Sequence, residues 1–418
     1  MRKTLQKNII IGFISILILL VLSLFVFTPK DIKLAETISN HVELETQLQR
    51  VVAESQTPGL ALAVVKNNKI IYNKAFGMAD GTNNIAATPQ TVWRWWSLTK
   101  CVTAMAIFKL QEEGLLNIND EVSKYLPFFT VNYQDGKGNP LVTIRDLLNH
   151  SSGIPDNIPE IMGWLHFEGD QKINQTDLLE SVFMKYKTLK FQPGIDGSSY
   201  SNVGYMVLGA IIEQASGMDY DQYIISKILK PLSMEDTGFT LTENMRKNLA
   251  AGSHPFISIE SVILALYNNG DLKKIVRRVK SGRVWFQNFY PDSEPPSGLL
   301  GPVGDAAKFV MVCLNNGELN GVKILKKESI EQLLYEGHSK PNEMSGVKPF
   351  GNNDFYYGRG WFICTENNKT VIRNNGGAPG FGTSFCLFPD RSLGIILMAN
   401  DMHVNSNEII RLVTQIDW

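Results

Sequence analysis

The chain has 418 residues, a formal net charge of -1, 44% hydrophobic residues and 19% charged ones. That length excludes a small single-core module and suits one large two-part domain or two domains. The balanced charge gives no global pull toward nucleic acid, and four cysteines are too few for a disulfide scaffold, so Cys101, Cys313, Cys364 and Cys386 read as buried thiols among apolar neighbours.

In chain order, Arg2, Lys3 and Lys7 precede an uncharged run from Ile9 to Phe27, close to the ~20 residues that span a bilayer. A signal peptide carries a shorter apolar stretch of about 7–15 residues. The run 9–27 therefore reads as an uncleaved membrane anchor, with residues 1–8 as a cytoplasmic tip and the rest extracytoplasmic. Secretion after cleavage is the alternative. Residues 28–35 form a polar linker, and 36–418 form the folded part.

Ile38, Val42, Leu48, Val51 and Val52 stand near helical spacing and predict an amphipathic helix over 36–54. Two β-rich runs flank Asn67-Asn68 and predict a hairpin. From Ser97 to about Glu113 the chain is apolar almost all round, as in a central buried helix ended by Gly114. Helix and loop then dominate to about residue 250, with "TIRDLLNHSSGIP" breaking at Gly153 and Pro155, and "NVGYMVLGAIIEQASG" stopping at Gly217. Residues 255–296 are poorly patterned and basic, through Lys273, Lys274, Arg277, Arg278, Lys280 and Arg283. The expectation is a solvated helical insertion there, in preference to a contact for anionic lipid or cell-wall polymer. "GDAAKFVMVCLNNG" is a further helix. Strands follow around Gly360–Cys364, Lys369–Arg373, Thr383–Phe388 and Leu393–Ala399, with "PDRS" as a turn, and an amphipathic helix closes the chain. Strands at both ends and helices between them predict an α/β chain of the α+β type. Its antiparallel sheet is built from both chain ends, flanked by helices, with a mostly helical subdomain inserted over roughly 90–296.

Chemistry concentrates in three places. Ser97 and Lys100 lie three apart at the head of the buried helix and so share a face. A serine needs a base to become a nucleophile, and a lysine desolvated by Trp95, Trp96, Val102 and Met105 can serve. The helix start adds N–H groups and a positive dipole end that favour an oxyanion at Ser97. In "QPGIDGSSYSNVGYMVLG", Tyr200 and Asn202 alternate with Ser201, so both point one way. The tyrosine can relay a proton, and the asparagine amide can hold a carbonyl or a lysine. In "IRNNGGAPGFGTS", Gly376 and Gly377 allow close backbone approach, and an N–H near Gly377 could pair with that of Ser97 in an oxyanion hole.

These clusters, in this order, resemble the serine β-lactamase and penicillin-binding protein family, most closely its branch of class C β-lactamases, D-alanyl-D-alanine carboxypeptidases and esterases. "GLLNINDEVSKYLP", "TIRDLLNHSSGIP", "LKPLSMEDTGF", "YGRGWFI" and "GGAPGFGTSF" extend the likeness from about residue 40 to the end. The resemblance implies that Ser97 is the acylated nucleophile, that Lys100 activates it, and that Tyr200 shares in proton transfer to the leaving group. It implies that Asn202 positions the substrate's acyl side chain and that the N–H groups of Ser97 and Gly377 form the oxyanion hole. The family's third motif usually begins with lysine or histidine, where this chain has Asn374 ahead of Asn375 and Gly376. Asn374 can donate a hydrogen bond to substrate but brings no charge. A charged hydrogen bond is worth about 1.5–3 kcal/mol, so efficient β-lactam hydrolysis gives way to a carboxypeptidase or esterase as the expectation. Arg373, next door on a strand, faces the other side.

No G-x-S-x-G elbow is present, and the six histidines show no metal-ligand spacing, with His150 read as structural. No metal or cofactor is expected. The expected partners are a small-molecule or peptide substrate and, through the N-terminal segment, a membrane, with no nucleic acid. The competing expectation is a catalytically weakened receptor or scaffold for cell-wall peptides.

Overall fold

The computed structural model describes residues 32–55, 57–133, 140–156, 165–194, 197–258, 260–261, 264, 274–341, 355–366 and 368–418. The apolar run 9–27 lies outside the described residues. Among the described residues no helix is long and apolar enough to cross a membrane.

Eight antiparallel strands form the central sheet. Near the chain start are β1 (Gly59–Lys66), β2 (Lys69–Asp80) and β3 (Ile85–Ala86). A separate three-stranded sheet holds β4 (Ser253–Pro255), β5 (Val276–Lys280) and β6 (Arg283–Phe286), with β6 in the middle. The chain end returns to the central sheet as β7 (Phe355–Tyr357), β8 (Phe362–Glu366), β9 (Lys369–Ala378), β10 (Phe381–Phe388) and β11 (Leu393–Ala399). The sheet order is β7-β8-β9-β10-β11-β1-β2-β3, so β11 from the chain end pairs with β1 from its start. The Asn67-Asn68 hairpin joins β1 to β2 with both asparagines left-handed, at φ 48° and 58°, the conformation a tight two-residue turn requires.

Period-two alternation sorts β1 between two layers. Leu60, Leu62 and Val64 face α1 (His41–Glu54) and the C-terminal helix Ser406–Gln415, whose Ile409, Ile410 and Val413 are fully buried. Ala61, Ala63 and Val65 join the second cluster, which includes α2 (Thr99–Glu112), α3 (Asn202–Ser216) and α4 (Val303–Leu314). Small residues let α4 approach closely, and a Cβ on Gly394 would meet Val310 Cγ1 at 2.4 Å. The predicted buried helix is α2, in which every residue from Thr99 to Phe108 is buried. Ser97 stands just before it in a 3-10 turn, Trp96–Leu98. The four cysteines are buried and free.

The stretch 255–296 departs from expectation. Its described residues build strands, and three of its basic groups are tied to distant parts of the chain. Arg277 forms an ion pair with Asp80 at 2.8 Å, Lys280 donates to the carbonyls of Gly81 and Thr82, and Arg283 is buried against Asp401. Lys273 lies outside the described residues.

Candidate active site

Ser97 is set by pinning of the Trp95 backbone at both its N–H and its carbonyl. The Trp95 N–H donates to Leu299 O at 2.9 Å, and the Trp95 carbonyl accepts from Thr383 Oγ1 at 2.9 Å. Trp96 holds φ at +48°, a strained value for a bulky aromatic, and this bend turns the chain so that Ser97 precedes α2. Strand β9 runs against this turn. A Cβ on Gly376 would lie 2.3 Å from Trp95 O and 3.1 Å from Ser97 N, so only glycine lets the strand approach so closely. Gly376, placed among the substrate-binding residues from sequence, thus packs directly against the Ser97 turn. The next residue differs, because Gly377 is exposed and a Cβ there would meet nothing within 4 Å.

Lys100, fully buried, rises from the first turn of α2. Its Nζ lies 3.1 Å from Ser97 Oγ, 2.8 Å from Asn202 Oδ1 and 3.1 Å from Pro296 O. It sits over the ring of Tyr200 at 4.8 Å. Burial drives the amine down from 10.5 to about 7, with Asp156 pulling the other way. Tyr200 Oη donates to Ser97 Oγ at 2.7 Å, and burial holds the phenol far above its ordinary value, so it stays protonated. The geometry brings Ser97, Lys100, Tyr200 and Asn202 to one point.

Asn202 begins α3, where Ser201 caps the helix by accepting from Gly204 N at 3.0 Å. His150 fixes the preceding turn, its Nδ1 accepting from Ser201 N at 3.1 Å and its ring packing 4.6 Å from that of Tyr200. Burial pushes this imidazole well below 6.5, so it remains neutral.

Asn374 departs from its expected role toward substrate. It is buried, and its Nδ2 donates to Gly360 O at 2.7 Å and to Ser97 O at 3.3 Å. Both amide hydrogens are thereby committed to protein carbonyls beneath the serine, and none is left for substrate. Arg373 lies on the opposite face, bonded to Asn407 at 2.8 Å.

Sequence reasoning missed Asp156. Its carboxylate accepts from Asn202 N at 2.6 Å, Val203 N at 3.0 Å and Asn202 Nδ2 at 2.9 Å. A carboxylate at a helix N-terminus is favourable in itself. Here it also fixes which end of the Asn202 amide faces Lys100. The only signal was an acidic residue directly after "SSGIP", with nothing in the spacing to tie it to residue 202. The Pro296 carbonyl was equally invisible, since a backbone group carries no sequence mark.

Over residues 44–415 the sequence matches the Beta-lactamase family. Protein flp of Staphylococcus aureus (strain MRSA252) is 28% identical over 377 residues, covering 90% of this chain and only 65% of that protein's own length. Penicillin-binding protein 4* of Bacillus subtilis (strain 168) is 27% identical over 371 residues, covering 85% of this chain and 71% of that one. The octameric penicillin-binding protein homologue from Pyrococcus abyssi superposes with a TM-score of 0.68 at 27% identity, over 86% of this chain and 73% of that one. D-amino acid amidase from Ochrobactrum anthropi SV3, solved with L-phenylalanine, gives a TM-score of 0.69 at 19% identity, over 90% and 97%, a likeness of fold alone. With the match spanning nearly the whole folded part, the chain belongs to the β-lactamase family.

Proposed function

We propose that the chain is a serine hydrolase that forms an acyl-enzyme on Ser97 and cleaves an amide or ester bond. The observation that carries this is the meeting of Lys100 Nζ and Tyr200 Oη on Ser97 Oγ, at 3.1 and 2.7 Å. A neutral Lys100 has two hydrogens and one lone pair. Asn202 Oδ1 and Pro296 O take the hydrogens, which leaves the lone pair for the Ser97 proton. Oγ then attacks the substrate carbonyl, and the N–H groups of Ser97 and Gly377 receive the developing oxyanion. Tyr200, neutral and beside Oγ, gives its proton to the leaving nitrogen or oxygen and recovers one from the Lys100 ammonium. Water then cleaves the acyl ester with Lys100 again as base.

The uncharged, committed amide of Asn374 supports a carboxypeptidase or esterase over an efficient β-lactamase. The cationic residues ahead of the 9–27 run support an extracytoplasmic, membrane-tethered enzyme. Ser97→Ala tests the central step. The wild-type chain is expected to take up a fluorescent fluorophosphonate or penicillin covalently, and the variant to take up none. Labelling that survives in the variant overturns the assignment.

A further inference from the structure

The Pro296 carbonyl takes one of the Lys100 hydrogens, so whatever fixes that carbonyl also fixes the amine. Pro295 and Pro296 sit in a short helix, Glu294–Ser297, packed against α2 and α3. Neither proline has an N–H, so this pair grips α2 through its carbonyls. Pro296 O meets Lys100 Nζ, and Pro295 O accepts from Thr103 Oγ1 at 2.7 Å. Lys100 and Thr103 are three apart and share one face of α2. Just beyond the prolines, Leu299 N donates to Thr99 Oγ1 at 3.2 Å. The Pro295 ring lies against α3, where a Cβ on Gly209 would meet its Cγ at 2.2 Å.

Thr103 is fully buried, and its hydroxyl has one hydrogen and three oxygens around it. Pro295 O and Tyr220 Oη are each at 2.7 Å, and Thr99 O is at 3.2 Å. Burial holds the Tyr220 phenol far above its ordinary value, so Oη keeps its hydrogen and donates it to Oγ1. Oγ1 must then turn its own hydrogen to a carbonyl, and Pro295 O is the nearer one. The result is a directed chain from Tyr220 through Thr103 to the Pro295–Pro296 backbone.

We propose that Thr103 and Tyr220 are positioning residues for Lys100. Neither touches substrate, since both are buried inside the fold. They hold Pro296 O where it takes one amine hydrogen, Asn202 Oδ1 takes the other, and the lone pair is left toward Ser97 Oγ. The inference rests on the reading of Lys100 as the base. Its sign follows from the acceptor. A carbonyl binds an ammonium more strongly than an amine, so displacing Pro296 O penalises the charged form more and eases deprotonation, while the lone pair loses its aim. The titratable groups facing Lys100 are Asp156, Cys101, Tyr200, Tyr205 and His150, and changes at 103 or 220 leave all of them in place.

The test is the pH profile of the second-order rate at which a fluorescent fluorophosphonate labels Ser97, which reads the base without a known substrate. Thr103→Val should lower the plateau about tenfold, the worth of one hydrogen bond to a charged group, and move the lower limb toward acid. Thr103→Ser restores the hydroxyl and should label close to wild type on an unmoved limb. Tyr220→Phe removes only the donor that turns the Thr103 hydrogen, so it should show a smaller loss with the same direction of shift. That variant carries the test if Thr103→Val does not fold. A plateau that falls with the limb unmoved marks a merely structural role and overturns the proposal. Equal losses in Thr103→Ser and Thr103→Val, or a wild-type profile in Tyr220→Phe, overturn it too. Wild type that takes up no label overturns the hydrolase reading itself, and this inference with it, whereas a labelled wild type matched by Thr103→Val overturns this inference alone.

Discussion

Two basic side chains in this molecule, His403 at the surface and Lys100 fully buried, have opposite electrostatic surroundings. His403 touches Asp401 at 3.0 Å and Glu260 at 3.1 Å, and those hydrogen bonds, Asp401's first, lift it from 6.5 to about 10. Lys100 has only neutral groups in contact, and burial takes it down to about 7. Its nearest carboxylate, Asp156, is held one residue back, behind the Asn202 amide. A carboxylate in contact makes a permanent cation. The same carboxylate behind an amide leaves an amine that can be neutral at physiological pH. The first arrangement builds structure, and the second fits a general base.

Lys100→Met breaks the contrast most severely. Loss of a general base costs about 10²–10⁴ in rate, and kcat/KM should fall by that order. Stability should move the other way. The interval between about 7 and 10.5 corresponds to a desolvation cost on the order of 4–5 kcal/mol. Orphaning Asn202 Oδ1 and Pro296 O takes back about 1–3 kcal/mol. A net gain of about 1–4 kcal/mol at pH 7 should appear in urea unfolding and turn into a net loss above pH ~10.5, where only the orphaned acceptors count. A variant less stable than wild type at pH 7 would show that the amine is not desolvated.

The contrast also explains what could be read from sequence. The central sheet was legible because glycines, the Asn67-Asn68 turn and "PDRS" punctuate β-rich runs, and because strand alternation needs no distant partner. Helix α2 was legible from its unbroken apolar character. Ser97 with Lys100, and Tyr200 with Asn202, were legible because helix and strand spacing fix relative direction. Strands β5 and β6 were not, since their charges are satisfied by Asp80 and Asp401, 197 and 118 positions away in the chain. Asp156 was missed for the same reason. The position of Asn374 was readable, but not that Gly360 O and Ser97 O would take both its hydrogens.

His403→Gln sharpens the comparison through the sign of a slope. The folded value of His403 is above its unfolded one, so its stabilisation is complete below pH 6.5 and is lost as pH rises through about 10. Lys100 acts oppositely, because its folded value is below the unfolded one and stability rises with pH from about 7 to 10.5. Removing His403 should therefore tilt the pH dependence of unfolding upward between pH 7 and 10 relative to wild type, while the pH–rate profile stays in place. An unchanged slope would mean that His403 is not held charged by Asp401 and Glu260.

Asp156→Asn is the mildest change and the most discriminating one. Asp156 raises the Lys100 value against the larger effect of burial. Neutralising it should move the lower limb of the kcat/KM profile from near pH 7 toward acid, by less than about one pH unit, since charges separated by an intervening group interact weakly. At pH 7 the fraction of neutral amine at most doubles, so protonation alone would raise the rate slightly. The substitution also removes the acceptor that orients Asn202 Nδ2, and a side chain free to turn can present an N–H to Lys100 instead of Oδ1. A single lost hydrogen bond to a charged group is worth about 1.5–3 kcal/mol, so misorientation outweighs the twofold gain and the plateau should fall about tenfold or more. A limb moving toward base would mean that Asp156 acts through something other than its charge. An unmoved limb with an unchanged plateau would remove it from the site.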